Sequence, residues 1–423
     1  MVDTDRMSVL APLRIPAFRR LATSYGCNEL GWAFSTVALG VLVFDRTGSA
    51  LATTLLFLAT AFVPAIAAPA LTARLDRLAA RRALPGLYLT EAALFAALIL
   101  ASERFWLPAV LALSLADGAI AIAGRALTRA AVAATLSPSG SLEAGNKLLN
   151  ILYSVAFAVG PALAAALVAT AGVPASLAVT CGLFLLMALV LATSRSLPPA
   201  RGDDDRSWRR RLAQGLVYVR ERAAVRRIFQ VHAVALSCAA AVVPIEVVYA
   251  EQSLGGGNGT YGLLLTAWGA GTVISSLALT RVTARSGLGR IALSAAGMGV
   301  GYLAMAAAPS LPFALAGAFV GGSANGVYAA AVVQALQERI GEDLQARVMS
   351  MLESTTAACY GIGFVIGGAV AALAGARVAI GASGLGVLLA AGLMTALLRE
   401  RRAPQAQPSP RHLPRAVETA ATS

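Results

Sequence analysis

Charge is scarce in these 423 residues: Asp, Glu, Lys and Arg together make up 13%, where soluble domains carry about a quarter. A solvent less polar than water is the first implication. The chain has only two histidines and four cysteines. Cys27, Cys181, Cys238 and Cys359 stand singly in apolar runs, so neither a metal-ligand spacing nor a disulfide framework can be drawn, and they read as small apolar filler. His232 lies early in an apolar run and His412 in a polar tail, so an intramembrane hydrolase with a Ser/His or metal constellation has nothing to work with. A phosphate loop is missing too. Gly255-Gly256-Gly257-Asn258-Gly259 lacks the Lys-Ser/Thr ending that a nucleotide loop requires, so neither ATP hydrolysis nor a nucleotide partner is expected, and no cofactor is implied. The N-terminus offers no cleavable signal, because Arg6, Arg14, Arg19 and Arg20 precede a long apolar run without a small-residue cleavage site. The short alternating segments of a β-barrel are absent as well.

What is present is hydrophobic: 58% of the residues. Leu148 to Ser194 and Ile291 to Gln337 contain no Asp, Glu, Lys or Arg at all. A helix crosses the hydrocarbon core in roughly 20 residues, so each stretch holds two spans. Ala171-Gly172-Val173-Pro174 breaks the first and Pro309-Ser310-Leu311-Pro312 the second. Helices are the form that satisfies its own backbone hydrogen bonds in lipid. The pattern predicts spans at 20–44, 51–72, 84–102, 106–128, 147–170, 174–194, 228–250, 260–281, 290–308, 312–336, 348–372 and 377–398.

The basic residues set the expected orientation. With the N-terminus inside, Arg74, Arg77, Arg81, Arg82, Arg281, Arg285, Arg290 and the linker from Arg195 to Arg227 are cytoplasmic, and the outer loops hold only Arg46, Arg104 and Arg377. This asymmetry accounts for the net charge of +13 without any nucleic acid. The expectation is a multi-pass protein of the cell membrane with both termini in the cytoplasm. It divides into an N-terminal segment (1–19), a six-helix bundle (20–196), a linker (197–227), a second six-helix bundle (228–398) and a disordered tail (399–423). Trp208, Leu212, Leu216 and Val219 recur at helical spacing among the linker arginines, which suits a helix lying along the inner leaflet.

The two halves repeat weakly at an offset of 208 residues: Thr72, Asp76, Arg77 and Arg82 fall on Thr280, Ala284, Arg285 and Arg290, and Asp117-Gly118 falls on Asn325-Gly326. Parallel six-helix repeats about an axis along the membrane normal characterise the major facilitator fold.

Asp76-Arg77-Leu78-Ala79-Ala80-Arg81-Arg82 resembles the loop 2–3 signature of major facilitator transporters, with Thr72 and Ala79 replacing its two glycines. Phe18-Arg19-Arg20-Leu21, Phe44-Asp45-Arg46-Thr47-Gly48-Ser49, and Asn146 with Gly160-Pro161 resemble the drug:proton antiporter-3 branch, which includes macrolide and siderophore exporters. The resemblance implies a non-enzymatic, monomeric secondary transporter with two six-helix halves, coupling proton movement to efflux of a small amphipathic organic compound. An uptake symporter or facilitator on the same fold is the alternative; a receptor is disfavoured, since neither linker nor tail is large enough for a signalling domain. Of the fifth-span glycine series only Gly160-Pro161 remains, as a helix-packing motif. The signature loop implies a latch formed by Asp76, with Arg77, Arg81 and Arg82, against the start of the eleventh span.

Depth ranks the residues that could carry transport, because ionisable groups in the hydrocarbon region cost about 2.5–3.5 kcal/mol each on insertion scales. At 1.5 Å per residue, Asp117 lies roughly 16 Å below Trp106 and Glu29 roughly 14 Å in from Arg20, both near the midplane. Glu91 is shallower. These three acids are the proton-coupling candidates. Arg125 is expected to snorkel to the inner surface, and Glu246 to be hydrated near the outer one. Trp32, Phe34, Trp268, Asn325 and Tyr328 are the candidates for lining a largely apolar substrate cavity between the halves.

Overall fold

The computed structural model describes residues 10–64, 66, 80–193, 219–279, 287–340 and 342–402, and among these every regular element is helical. Helix α1 (Pro16–Thr47) starts with proline in its first turn, where a missing N–H is harmless. It stops at Gly48, whose left-handed backbone (φ 60°) lets its N–H reach the Phe44 carbonyl at 2.7 Å. Ser49 then caps α2 (Ala50–Phe57) by accepting the Ala52 N–H at 3.3 Å. The Thr-Gly-Ser stretch is therefore a tight turn between two helices. Helix α2 runs on through a π-helical turn, Leu58–Phe62.

Helices α3 (Ala80–Glu103) and α4 (Leu107–Leu136) follow. The next run, Leu142–Ala192, is 51 residues long and leaves helical geometry at Gly172 (φ 82°, ψ 172°), which divides it into limbs α5 (142–171) and α6 (173–192). That is where the sequence placed its turn. Positive φ at this point is open to glycine and strained for other residues. Helix α7 (Ala223–Ala240) differs from expectation: the span read as continuous from 228 to 250 breaks into a 3₁₀ turn (Val243–Ile245), a single α turn (Glu246–Val248) and a π turn (Tyr249–Ser253). Pro244 supplies the reason, since it has no N–H for the α ladder. Then come α8 (Asn258–Leu279), α9 (Gly287–Ala307), α10 (Leu311–Gln337), α11 (Glu342–Ala374) and α12 (Ala376–Arg402). Nine described helices are long and apolar enough to cross a bilayer, the 51-residue run among them. Divided at Gly172, the described residues form twelve helical segments, six before the linker and six after it. The linker stripe through Leu216, the loop holding Asp76 and Arg77, and the tail beyond Arg402 lie outside the described residues.

The end of the bundle where α1 begins is called here the near face, and the end where α1 turns into α2 the far face. Within the N-terminal group, α6 returns to the near face, where Arg20 donates to the Thr193 carbonyl at 3.0 Å. Gly160 lets α5 lie against α1, where an added Cβ would sit 2.6 Å from that of Ala33. In the C-terminal group α8 crosses α10 at equally short range: a Cβ on Gly322 would meet the Trp268 carbonyl at 2.0 Å, and Thr272 donates to the Gly322 carbonyl at 2.9 Å.

Two seams join the halves. In one, α8 lies on α5, with the ideal Cβ of Gly262 2.1 Å from the Ala165 Cβ and 2.7 Å from the Pro161 carbonyl. In the other, α2 lies on α11, with that of Gly368 2.0 Å from the Thr54 hydroxyl and Phe57 edge-on to Phe364 at 6.0 Å. Thr54 and Gly262, the α2 and α8 members of these seams, are 208 positions apart. The two seams thus pair equivalent helices, α8 on α5 and α2 on α11, about a pseudo-twofold axis, although their partner residues on α5 and α11 are not equivalent positions. Both are tight from mid-depth to the far face. Helices α4 and α10 pack extensively only within their own halves, and α1 meets the α7 region at its far segment, Glu246–Val248.

Candidate functional site

Glu29 on α1, Glu91 on α3 and Asp117 on α4 lie inside the N-terminal half within electrostatic range of one cation, Arg125 of α4, whose charge acts on all three. Glu29 is 5% exposed and Glu91 fully buried. The Glu29 carboxyl has the Asn28 and Tyr25 side chains beside it and a second cation, Arg129, within electrostatic range. Glu91 interacts with the Asp117 charge, and neither of its oxygens accepts a hydrogen bond; Oδ1 of Asp117 and Oγ of Ser114, one turn earlier on α4, are also buried without a partner. A buried polar atom in that condition costs about 1–3 kcal/mol. The group is braced by Tyr88, whose hydroxyl lies 3.0 Å from that of Thr128 and ties α3 to α4.

Arg125, expected at the inner surface, is half-buried, and its charge acts on all three acids. A signal was available: Arg125 follows Asp117 by about two helical turns, so both fall on nearly the same stripe of α4. Glu246 departs from expectation as well, being 7% exposed rather than hydrated.

The cavity candidates separate by environment. Trp32 is 43% exposed and Asn325 half-buried. Phe34 is buried between α1 and α6, its carbonyl accepting from Ser176 at 3.3 Å. Trp268 stacks on Tyr302 at 5.0 Å and covers Gly321, filling the α8–α9–α10 junction. Tyr328 is buried, with its ring stacked on His232 and its hydroxyl 3.1 Å from His232 Nδ1. Nε2 of the same histidine faces Thr356 Oγ1 at 3.4 Å, so α7, α10 and α11 share a polar clasp. Sequence reasoning passed over His232 because a lone histidine in an apolar run reveals nothing of its partners. Arg81 and Arg82 are exposed at the near-face start of α3. Among the described residues no group of three or more His, Cys, Asp or Glu is placed to hold a metal ion.

Two six-helix groups related by a pseudo-twofold axis, with charge enclosed in one of them, define a multi-pass transporter of the major facilitator type. The chain belongs to the transmembrane secretion effector family of that superfamily, whose family model matches residues 7–421. No match was found among curated proteins. Similar solved structures include a bacterial homologue of the human lysosomal transporter Spinster in an inward-facing, unoccupied conformation, 13% identical with a TM-score of 0.70, covering 94% of this chain and 99% of that one. The nucleoside transporter NupG is 14% identical with a TM-score of 0.68, covering 92% and 98%. The peptide-transporter-family protein PepTSo is 10% identical with a TM-score of 0.68, covering 92% and 98%. At these identities the likeness establishes the fold.

Proposed function

We propose that this secondary transporter exports a small amphipathic organic compound in exchange for protons, by alternating access, with the near face and both termini in the cytoplasm of a cell whose plasma membrane it spans. The carrying observation is the Arg125 group: three carboxyls on three apolar helices lie under the influence of one cation, and Glu91 has no hydrogen-bond partner for either oxygen. An ionised carboxylate is costly in such a place, and taking up a proton removes that cost. In this reading a proton entering from outside displaces an acid from Arg125, and the group resets when the proton leaves to the cytoplasm. Closed far seams with α4 and α10 apart correspond to the cytoplasm-open state. Trp32 and Asn325 present surface to cargo, while Phe34, Trp268 and Tyr328 shape the walls behind them. Asp76, with Arg77, Arg81 and Arg82, latches the near face in the opposite state.

The test uses proteoliposomes with an imposed pH gradient and an internal pH dye. Glu29→Gln and Asp117→Asn should each lower gradient-driven transport by at least about tenfold, equivalent to ~1.4 kcal/mol of lost coupling. Energy-independent exchange should survive. Wild-type gradient-driven rates in both variants would remove these residues from the mechanism, and protons moving in the same direction as cargo would make the protein a symporter.

A further inference from the structure

Below the two seams, one tyrosine from each half faces the space between them. The α5–α8 seam reaches down to Phe157 and Ala158, whose backbone an added Cβ on Gly269 would meet at 2.6 and 3.2 Å. The α2–α11 seam reaches down to Gly361, where an added Cβ would run into the Phe62 ring. Tyr153 lies one turn closer to the near face than Phe157 and stacks on it, with ring centroids 5.8 Å apart. Tyr360 stands one turn below Phe364, edge-on to it at 5.7 Å. Phe364 is buried against Phe57 in its seam, whereas Tyr153 and Tyr360 are 44% and 38% exposed.

That exposure is not to lipid. Residues two apart on a helix point roughly 160° away from each other. Ile151 and Val155, two positions to either side of Tyr153, carry the exposed apolar face of α5, and Ile362, two beyond Tyr360, that of α11. Tyr153 instead lies between the contact of Leu152 with Gly26 of α1 and that of Ala158 with Gly269 of α8. Tyr360 lies between Gly361, set against α2, and Gly363, where an added Cβ would meet the Ser237 carbonyl of α7. Each tyrosine is on the inward arc of its helix. The two are within electrostatic range of each other across the halves, and Tyr153 is also within range of Glu29, Tyr25 and Arg125.

Charge on this inner surface is uneven. Glu353 is exposed two turns closer to the near face than Tyr360, on the same stripe of α11, and its charge acts on that tyrosine. On the N-terminal side Arg125 has three acids in range, and Arg129 acts on Glu29 and on the Tyr25 hydroxyl. The described guanidiniums are thus matched by acids of their own half, and Glu353 is left for a cation from elsewhere.

We propose that Tyr153 and Tyr360 form an aromatic clamp for cargo, which takes a flat aromatic ring between them and directs a positively charged nitrogen toward Glu353. The clamp rests on the reading of the protein as a carrier of small amphipathic organic compounds and gives that cargo a chemistry. Tyrosine offers a large flat face with two rotatable bonds, so ordering it costs little. Such a face stacks on other rings and attracts cations. Because the two rings come from opposite halves, cargo held between them touches both moving bodies.

The test is equilibrium binding to the purified full-length protein in detergent, with no gradient imposed, using ethidium, a flat aromatic cation, and acridine in its uncharged form. Ethidium should bind the parent protein. Tyr153→Leu and Tyr360→Leu should each weaken it by roughly 2- to 30-fold, the range for losing one aromatic or cation–π contact. Tyr153→Phe and Tyr360→Phe keep the ring and should bind like the parent. Glu353→Gln should weaken ethidium and leave acridine unchanged, and Ile362→Leu, on the opposite face of α11, should change neither. The proposal is overturned if ethidium does not bind the parent, if the leucine variants keep its affinity, if the phenylalanine variants lose as much as the leucine ones, or if Glu353→Gln treats both dyes alike. No proton gradient enters this measurement, so its failure leaves proton-coupled export standing, and unaltered transport in Glu29→Gln and Asp117→Asn leaves the clamp standing.

Discussion

Gly262 offers the sharpest test of the seam between α5 and α8. An added methyl group would have to lie 2.1 Å from the Ala165 Cβ and 2.7 Å from the Pro161 carbonyl oxygen, with the Ala165 Cα at 3.3 Å. The obstacles are backbone atoms and a rigid methyl, so no side chain can swing aside, and the helices themselves must separate. Overpacking of this kind costs typically about 1–3 kcal/mol. The whole cost falls on the far-closed state, because the far-open state parts α5 and α8 at this depth. Gly262→Ala should therefore shift the population toward far-open by roughly 5- to 150-fold. Spin labels at Trp106→Cys and Phe313→Cys, two exposed positions at the far ends of α4 and α10, would read that shift directly in protein with the native cysteines replaced, and transport should slow as the far-closed state becomes scarce. Gly182→Ala, at a helical glycine with nothing within 4 Å, is the control and should change neither reading. If Gly262→Ala leaves the distance distribution and the transport rate where they were, the α5–α8 seam is not the far barrier and the pseudo-twofold argument fails with it.

Two further outcomes follow. Arg125→Met removes the cation whose charge acts on Glu29, Glu91 and Asp117; the thermal unfolding midpoint should fall, and adding Glu91→Gln should recover part of the loss. An unchanged midpoint would show that Arg125 is solvated and the group is no unit. For orientation, in a cysteine-free background, a cysteine at Ser139 should resist a membrane-impermeant thiol reagent in intact cells and one at Trp106 should react; the reverse pattern would invert the topology.

Much of this protein can be read without coordinates. Two charge-free stretches mark an all-helical chain and the Ala171–Pro174 break marks a turn between helices, because lipid leaves a chain few ways to satisfy its backbone. The 208-residue offset carried the pseudo-symmetry before any helix was placed, and Thr54 with Gly262 now show one thing it encodes: equivalent positions of α2 and α8 at two seams between the halves. Single positions were less legible. The depth of Glu29 and Asp117 follows from a rise per residue, but which acids share a neighbour does not, since rotation of each helix about its axis is set by packing against the others. That rotation decided that the charge of Arg125 acts on three carboxyls, that Tyr328 spends its hydroxyl on His232, and that Trp268 fills a junction beside Gly321. The sequence by itself determined the solvent, the segments and the repeat, because each depends on composition along one dimension. Only the tertiary structure decided which charges meet, because a meeting between helices depends on how all of them are turned at once.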